Sequence, residues 1–262
     1  MTTQFDAPHY FKKAIVRRPC ANMVQGLTEA NMGSPDYDLA CKQHDDYVAA
    51  LKECGLTVTE LNPLDDYPDS CFVEDAALLT PKCAILMHPG AASRQGEVAH
   101  IEAAVGACYQ HVERIAAPGT VEAGDIMMVG SHYYIGLSDR TNSIGAAQLI
   151  NILERYGLSG EVVEMSEMLH LKTGLSYLEN GHLLVCGEFV NKPQFDGFKR
   201  AEVPMQDSYS ANSVWINDTV LVPAGFTDTS KAIKAMGYAV REVAMSEFQK
   251  LDGGLSCLSL RF

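Results

Sequence analysis

Apolar residues along this chain come as short paired runs, then a helical stripe, then a single run. The second copy of this pattern is clear. Ala76 to Leu79 and Ala84 to Met87 flank the turn Thr80-Pro81-Lys82-Cys83, a helix is predicted from about Arg94 to Ala107, and Val112 to Ile115 closes the unit. In the third copy Ile126 to Val129 and His132 to Ile135 flank Gly130-Ser131. A helix from about Asn142 to Tyr156 sets Ala146, Leu149, Leu153 and Tyr156 on one side, and Val162 to Met165 closes. The fourth copy pairs Leu175 to Leu178 with Leu183 to Cys186 across Glu179-Asn180-Gly181-His182, where Asn-Gly is a hairpin signal; Asn191 to Arg200 reads as loop or short turns. The fifth has Val214 to Ile216, Asn217-Asp218, Thr219 to Val222, a helix near Thr229 to Met236, and Tyr238 to Val243.

The first copy is split. Ala14 to Arg17 reads as a strand, Tyr37 to Cys54 as a helix with Tyr37, Cys41, His44, Val48 and Leu51 on one face, and Thr57 to Leu61 as the closing strand. Its missing hairpin partner is expected at the other end of the chain, Leu255 to Arg261, which would close a ring of about five units. No unit can bury its hairpin alone, and no Pro/Gly/Ser-rich linker divides the chain. One domain over residues 1–262 is therefore expected.

The loops between units hold the polar chemistry. They carry Asp69, Glu74, Asp75, Glu122, Asp125, His170 and Cys257, and equivalent positions in a ring of repeats converge on its axis. Several carboxylates around one pocket repel each other unless a cation compensates, and a planar guanidinium can donate to them bidentately. Taken singly, each acid also reads as a helix cap or a solvated turn. Cys257 follows Gly253-Gly254, which allow a close backbone approach; it reads equally as an exposed thiol or a core residue. Beside it, His170 becomes a candidate acid–base for covalent catalysis. Arg94 and Arg140 each follow a hairpin at the start of a helix, a combination suited to a carboxylate.

Composition narrows the picture. A net charge of −13 with no Lys/Arg-dense stripe argues against nucleic acid; it suits a cationic ligand, and equally plain solubility. Met1 to His9 has no apolar signal-peptide core, and no apolar run approaches the length of a membrane span. The eight cysteines, Cys20, Cys41, Cys54, Cys71, Cys83, Cys108, Cys186 and Cys257, form no CxxC pair and no zinc-type cluster, so reduced thiols and a cytoplasmic setting are expected, most of them as small core residues.

Read together, these residues resemble the dimethylarginine dimethylaminohydrolases, within the guanidino-modifying, amidinotransferase-like superfamily. The matching stretches are PDSCFVED (68–75), PGTVEAGDIMMVG (118–130), DRTN (139–142), LHLKTGLSYLE (169–179) and DGGLSCLSLRF (252–262), with QGLT (25–28), PGAASRQGE (89–97) and GEFVNKP (187–193). The resemblance implies a five-bladed α/β propeller of repeated ββαβ units around a central pocket. It implies Cys257 as nucleophile, His170 as general acid–base, and Glu122 as the acid that holds the guanidinium and steers the histidine. Glu74 and Asp75 would contact the guanidinium, Asp69 the substrate α-amine, and Arg94 and Arg140 its carboxylate. Leu27 would belong to a mobile lid, the run from Ala21 to Pro35 reading independently as a long flexible loop. Asp252 would support the nucleophile, with Leu251 beside it at the pocket. The implied reaction is hydrolysis of Nω-methylated arginines to citrulline and an alkylamine, with no metal or organic cofactor, no nucleic-acid or membrane partner, and a homodimer left open. Arginine or agmatine deiminases and amidinotransferases share the scaffold and are the alternatives.

Overall fold

The computed structural model describes residues 5–6 and 8–262; the rest of the Met1–His9 stretch read above lies outside the described residues. Five three-stranded sheets follow one another around a centre. Blade one holds β1 (Lys13–Arg17), α1 (Tyr37–Glu53) and β2 (Thr57–Leu61). Blade two holds β3 (Ala77–Leu79), β4 (Ala84–Leu86), α2 (Glu102–Gly106) and β5 (Val112–Arg114). Blade three holds β6 (Ile126–Val129), β7 (His132–Leu137), α3 (Ser143–Arg155) and β8 (Ser159–Glu164). Blade four holds β9 (Leu175–Tyr177), β10 (His182–Val185) and β11 (Lys199–Glu202). Blade five holds β12 (Val214–Ile216), β13 (Thr219–Pro223), α4 (Thr227–Ala235) and β14 (Ala239–Val243). The chain ends through α5 (Ser246–Gln249) and β15 (Leu260–Arg261).

In every sheet a central strand pairs antiparallel with its hairpin partner and parallel with the strand after the crossover, as in β6–β7–β8 and β12–β13–β14. Blade one obeys the same rule only because β15 returns to pair antiparallel with β1, Ala14 opposite Arg261 and Ile15 opposite Leu260. The closure expected from the sequence is therefore present: this is a five-bladed α/β propeller. Closure fixes the last residues against the first, and it carries Cys257 into the centre.

Each helix buries one stripe against its own sheet. Ala146, Leu149 and Leu153 of α3 are fully buried against Ile126, Tyr133 and Ile135. Full burial of each of these leucines contributes about 1.5–3 kcal/mol. Asn142 caps α3 by accepting the Gly145 N–H at 2.8 Å, and Asp36 caps α1 through the Leu39 N–H at 2.9 Å. All eight cysteines are free thiols; Cys20, Cys71, Cys83 and Cys186 are buried and Cys108 is exposed. No helix of the described residues is long and apolar enough to cross a membrane.

Three elements differ from the sequence reading. The helix expected over 94–107 is a 3-10 helix at Ala92–His100 followed by the short α2. Gly96 packs against the Tyr67 ring, where a Cβ would come within 2.2 Å of the hydroxyl, and Arg94 and Glu97 are drawn inward, so this segment follows its buried contacts rather than an amphipathic repeat. Blade four does have a closing strand, β11, inside and just after the stretch read as loop. Its crossover uses 3-10 turns at Gly187–Phe189 and Pro193–Phe195, with Phe189, Phe195 and Phe198 covering the sheet in place of a helix. Finally, the strand expected from Leu255 shrinks to the two residues of β15, because Ser256–Leu258 turns into a 3-10 segment.

Candidate active site

One local device recurs at the centre. A 3-10 turn precedes the first strand of each hairpin with no more than two residues between them: Val73–Ala76, Ala123–Asp125, Leu171–Thr173, Met205–Ala211 and Ser256–Leu258. Glu122 and His170 directly precede two of these turns, and Glu74, Asp75, Asp125 and Cys257 lie within them.

A pocket of about 70 Å³ opens there, lined by Leu27, Asp69, Phe72, Asp75, Arg94, Glu122, Arg140, Leu169, His170, Leu251, Asp252 and Cys257, with Thr28, Glu29 and Gly253. Ten of the twelve residues singled out from the sequence therefore meet; Glu74 and Asp125 do not. The Glu74 carboxylate takes the Lys172 ammonium at 2.6 Å, the Ser256 hydroxyl at 2.7 Å and Arg261 at 3.4 Å, and Glu74 lines a separate cavity of about 130 Å³. Asp125, also expected in the pocket, is buried behind it and accepts the Ser138 hydroxyl at 2.6 Å and the Leu171 N–H at 2.9 Å.

The acids inside the pocket are held individually. Glu122 accepts the Ala91 N–H at 3.0 Å with one oxygen and meets Nε2 of His170 at 2.9 Å with the other. Asp75 accepts the Gly124 N–H at 2.9 Å and pairs with Arg94 at 2.5 Å. Gly124 is required by proximity: a Cβ there would sit 2.7 Å from Nδ1 of His170 and 2.9 Å from Asp75. Burial opposes charge on Asp75, but the Arg94 guanidinium outweighs it and holds the carboxyl below its usual range. Burial also opposes charge on His170, yet Asp125, Asp75 and Glu122 together push the imidazole up to about 9, so it is an imidazolium at neutral pH. The Cys257 thiol goes the other way: burial, with Glu74 and Asp75 nearby, pushes it up to about 12.

The two arginines differ. Arg94 is buried and fully engaged, donating to Asp75, to Glu97 at 2.9 and 3.1 Å, and to the carbonyls of Phe72 and Asp69. Arg140 is half-buried at the rim, and its guanidinium has no hydrogen-bond or ion-pair partner among the described residues. Only Arg140 presents an uncommitted cation to a ligand.

The Cys257 loop is clamped from three sides. Tyr47 donates to the Leu255 carbonyl at 2.9 Å, Tyr209 to the Gly253 carbonyl at 2.7 Å, and Asn212 accepts the Ser256 N–H at 2.9 Å while donating to the Lys172 carbonyl. Gly253 and Gly254 allow close approach, as a Cβ would strike Phe72 at 2.1 Å or Asn212 at 2.4 Å; the left-handed residue of this turn is Asp252, at φ 56°. Lys172, Tyr209, Asn212 and Glu97 were not singled out from the sequence. Lys172 sits in the LHLKTG motif and Glu97 closes the PGAASRQGE stretch, but nothing local marks Tyr209 or Asn212.

The loop over 26–36 is not free. Leu27 N–H donates to Asp69 at 3.1 Å, the Thr28 hydroxyl to the Lys250 carbonyl at 2.8 Å, and Glu29 N–H to Asp252 at 2.6 Å, so the pocket's own acids hold it over the opening. Oxygen and nitrogen donors of Asp75, Glu122 and His170 come within 4.8 Å of one another, as do those of His44, Asp45 and Glu60 on blade one. The first set is already engaged by Arg94, Gly124 and Ala91 and surrounds the space facing Cys257.

No family model matches the chain. It is 54% identical over 253 residues to the N(G),N(G)-dimethylarginine dimethylaminohydrolase of Pseudomonas aeruginosa, covering 96% of this chain and 100% of the relative. It is 35% identical over 252 residues to the enzyme of the same name from Streptomyces coelicolor, covering 95% and 96%. Among solved structures, a cysteine-to-serine mutant of the Pseudomonas aeruginosa enzyme complexed with citrulline superposes with a TM-score of 0.96 at 53% identity, over 97% of this chain and 100% of that one. The N-terminal domain of the arginine dihydrolase ArgZ shares the fold at 22% identity, TM-score 0.86. The chain belongs to the dimethylarginine dimethylaminohydrolase family.

Proposed function

We infer that Cys257 is the nucleophile and His170 the general acid–base in hydrolysis of Nω-methylated arginines to citrulline and an alkylamine. The observation that carries this reading is a thiol and an imidazolium in one small pocket whose acids, Asp75 and Glu122, leave a seat for a planar cation. The substrate guanidinium sits between Asp75 and Glu122 with Cζ toward the sulfur. Its charge favours loss of the thiol proton to solvent, and the thiolate attacks Cζ. His170 gives its proton to the departing alkylamine as the C–N bond breaks, leaving a thiouronium on Cys257. The neutral imidazole then takes a proton from water, whose oxygen attacks Cζ. As the C–S bond breaks, the adduct's hydroxyl gives its remaining proton to solvent and becomes the citrulline C=O, and the thiolate is returned.

Glu122 steers the imidazole through its 2.9 Å contact. Arg140 at the rim suits the substrate carboxylate, and Asp69, also at the pocket, its α-amine. Arg94 acts indirectly at both ends of the substrate, fixing Asp75 of the guanidinium seat and the carbonyls of Asp69 and Phe72. Glu74, turned away from the pocket, belongs to the floor beneath the thiol rather than to the guanidinium seat.

The test compares citrulline release from dimethylarginine, monomethylarginine, arginine and agmatine, with acid quenching during turnover. The methylated substrates should turn over well and arginine poorly, while still competing. The quenched protein should carry an adduct on Cys257, and Cys257→Ser and His170→Gly should each abolish turnover while folding normally. Arginine as the best substrate would move the reading to a deiminase. A turnover-competent Cys257→Ser would overturn the covalent route.

A further inference from the structure

On the outer side of blade one, α1 packs His44 inward against β1 and β2, and the residue is wholly buried. Neither ring nitrogen makes a well-formed hydrogen bond among the described residues, although the Arg17 backbone lies close enough to one of them to act on the ring. Folded proteins rarely leave such a group unmet, and an absent ion is one standard reason. Beside it stand the carboxylates of Asp45, the next residue of α1, and Glu60, on β2. One donor atom from each of the three lies within 4.8 Å of the other two. The space between the acids is occupied by a cation already: the Arg18 guanidinium is 3.1 Å from Asp45 and 3.0 Å from Glu60. The Arg18 guanidinium makes no hydrogen bond to either ring nitrogen.

We propose that His44, Asp45 and Glu60 form a binding site for a divalent transition-metal ion, with Zn²⁺ as the ion best suited to this donor set, entered by displacement of Arg18. One imidazole nitrogen and two carboxylate oxygens are donors that zinc accepts, with water completing a tetrahedron; the imidazole argues against Mg²⁺ and Ca²⁺, which take oxygen ligands. Zinc–ligand distances of about 2.0–2.2 Å require the donors to draw closer than they now stand. The carboxylates can do this: the Asp45 and Glu60 side chains are 57% and 35% exposed, while His44 is fixed by the core. Arg18, itself 38% exposed, is free to swing into solvent. The bound ion would tie α1 to β2 where β1 leads out toward Cys20 and the loop covering the pocket. No sequence spacing announces it, since its ligands are adjacent on a helix and sixteen positions further on in a strand.

The test is zinc binding to the full-length protein, followed by titration calorimetry and by anomalous diffraction at the zinc edge. Zinc at the pocket cysteine would appear as a separate peak, so the two are told apart by position. The expected result is an anomalous peak coordinated by His44, Asp45 and Glu60. Asp45→Asn and Glu60→Gln, both surface changes, should each weaken this binding event by more than about tenfold. Arg18→Ala should strengthen it, because the competing cation is gone. Absence of a peak at His44 in both the native protein and Arg18→Ala would overturn the proposal. So would a peak held by the carboxylates alone, or affinities indifferent to all three substitutions.

Discussion

The Cys257 thiol offers the sharpest quantitative expectation. At about 12, Cys257 is almost wholly protonated, with roughly one molecule in 10⁵ as thiolate at neutral pH. A cation seated about 4 Å from the sulfur is worth about 4 kcal/mol at the effective dielectric of such sites. That corresponds to a thiol brought down to about 9, a gain of about a thousandfold in thiolate at pH 7. The assay compares chloroacetamide, which is neutral, with chloroacetamidine, which is a cation of the same shape, each rate divided by that of the same reagent with a small free thiol. Peptide mapping separates Cys257 from the exposed Cys108. Chloroacetamidine should label Cys257 about a hundred- to a thousandfold faster near pH 7. With chloroacetamide the rate should climb about tenfold per pH unit beyond pH 10, as the thiol approaches its own ionisation. A chloroacetamide rate that levels off below pH 9, with little difference between reagents, would mean the free protein already holds a thiolate paired with His170. The reasoning from burial and neighbouring acids would then fail.

Arg140→Ala should cost about 2 kcal/mol or more in kcat/KM for methylarginines, at least about thirtyfold, and much less for an agmatine-like ligand without the carboxylate; equal losses would refute its rim role. Arg94→Ala should instead destabilise the fold by about 3–5 kcal/mol, read as a lower denaturation midpoint, since it strands Asp75 and Glu97 in the interior. Lys172→Met removes the closest cation of Glu74 and one of the groups holding the Cys257 thiol down, so labelling by chloroacetamide should slow; an unchanged rate would argue against the floor acting on the sulfur. His170 has its folded value raised to about 9 from 6.5, so its contribution is complete below pH 6.5 and disappears as pH rises through 9. Urea unfolding should show about 3 kcal/mol of stability lost across that window, a loss absent from His170→Gly.

The sequence by itself determined the repeat, and with it most of the site. Hairpin turns such as Asn217-Asp218 and Gly130-Ser131 are written locally, in residues that tolerate positive φ, and the stripe Ala146, Leu149, Leu153 is a one-helix property. Because the repeat fixes which positions face the axis, Asp75, Glu122, His170 and Cys257 were legible as one cluster although up to 182 positions separate them. What the repeat cannot encode is which way a side chain turns once it reaches the centre. Glu74 and Asp75 are adjacent in one 3-10 turn, and successive residues of a tight turn point to different sides; Lys172 and Arg261 claim the first, Arg94 and Gly124 the second. Arg94 and Arg140 look equivalent after their hairpins, yet Glu97 and two carbonyls consume one and leave the other open. The raised thiol, the imidazolium and the tethered loop likewise depend on charges and donors from four blades at hydrogen-bond range. Those distances exist only after the ring has closed through β15, since burial and Coulombic neighbours are properties of the packed centre and of no segment alone.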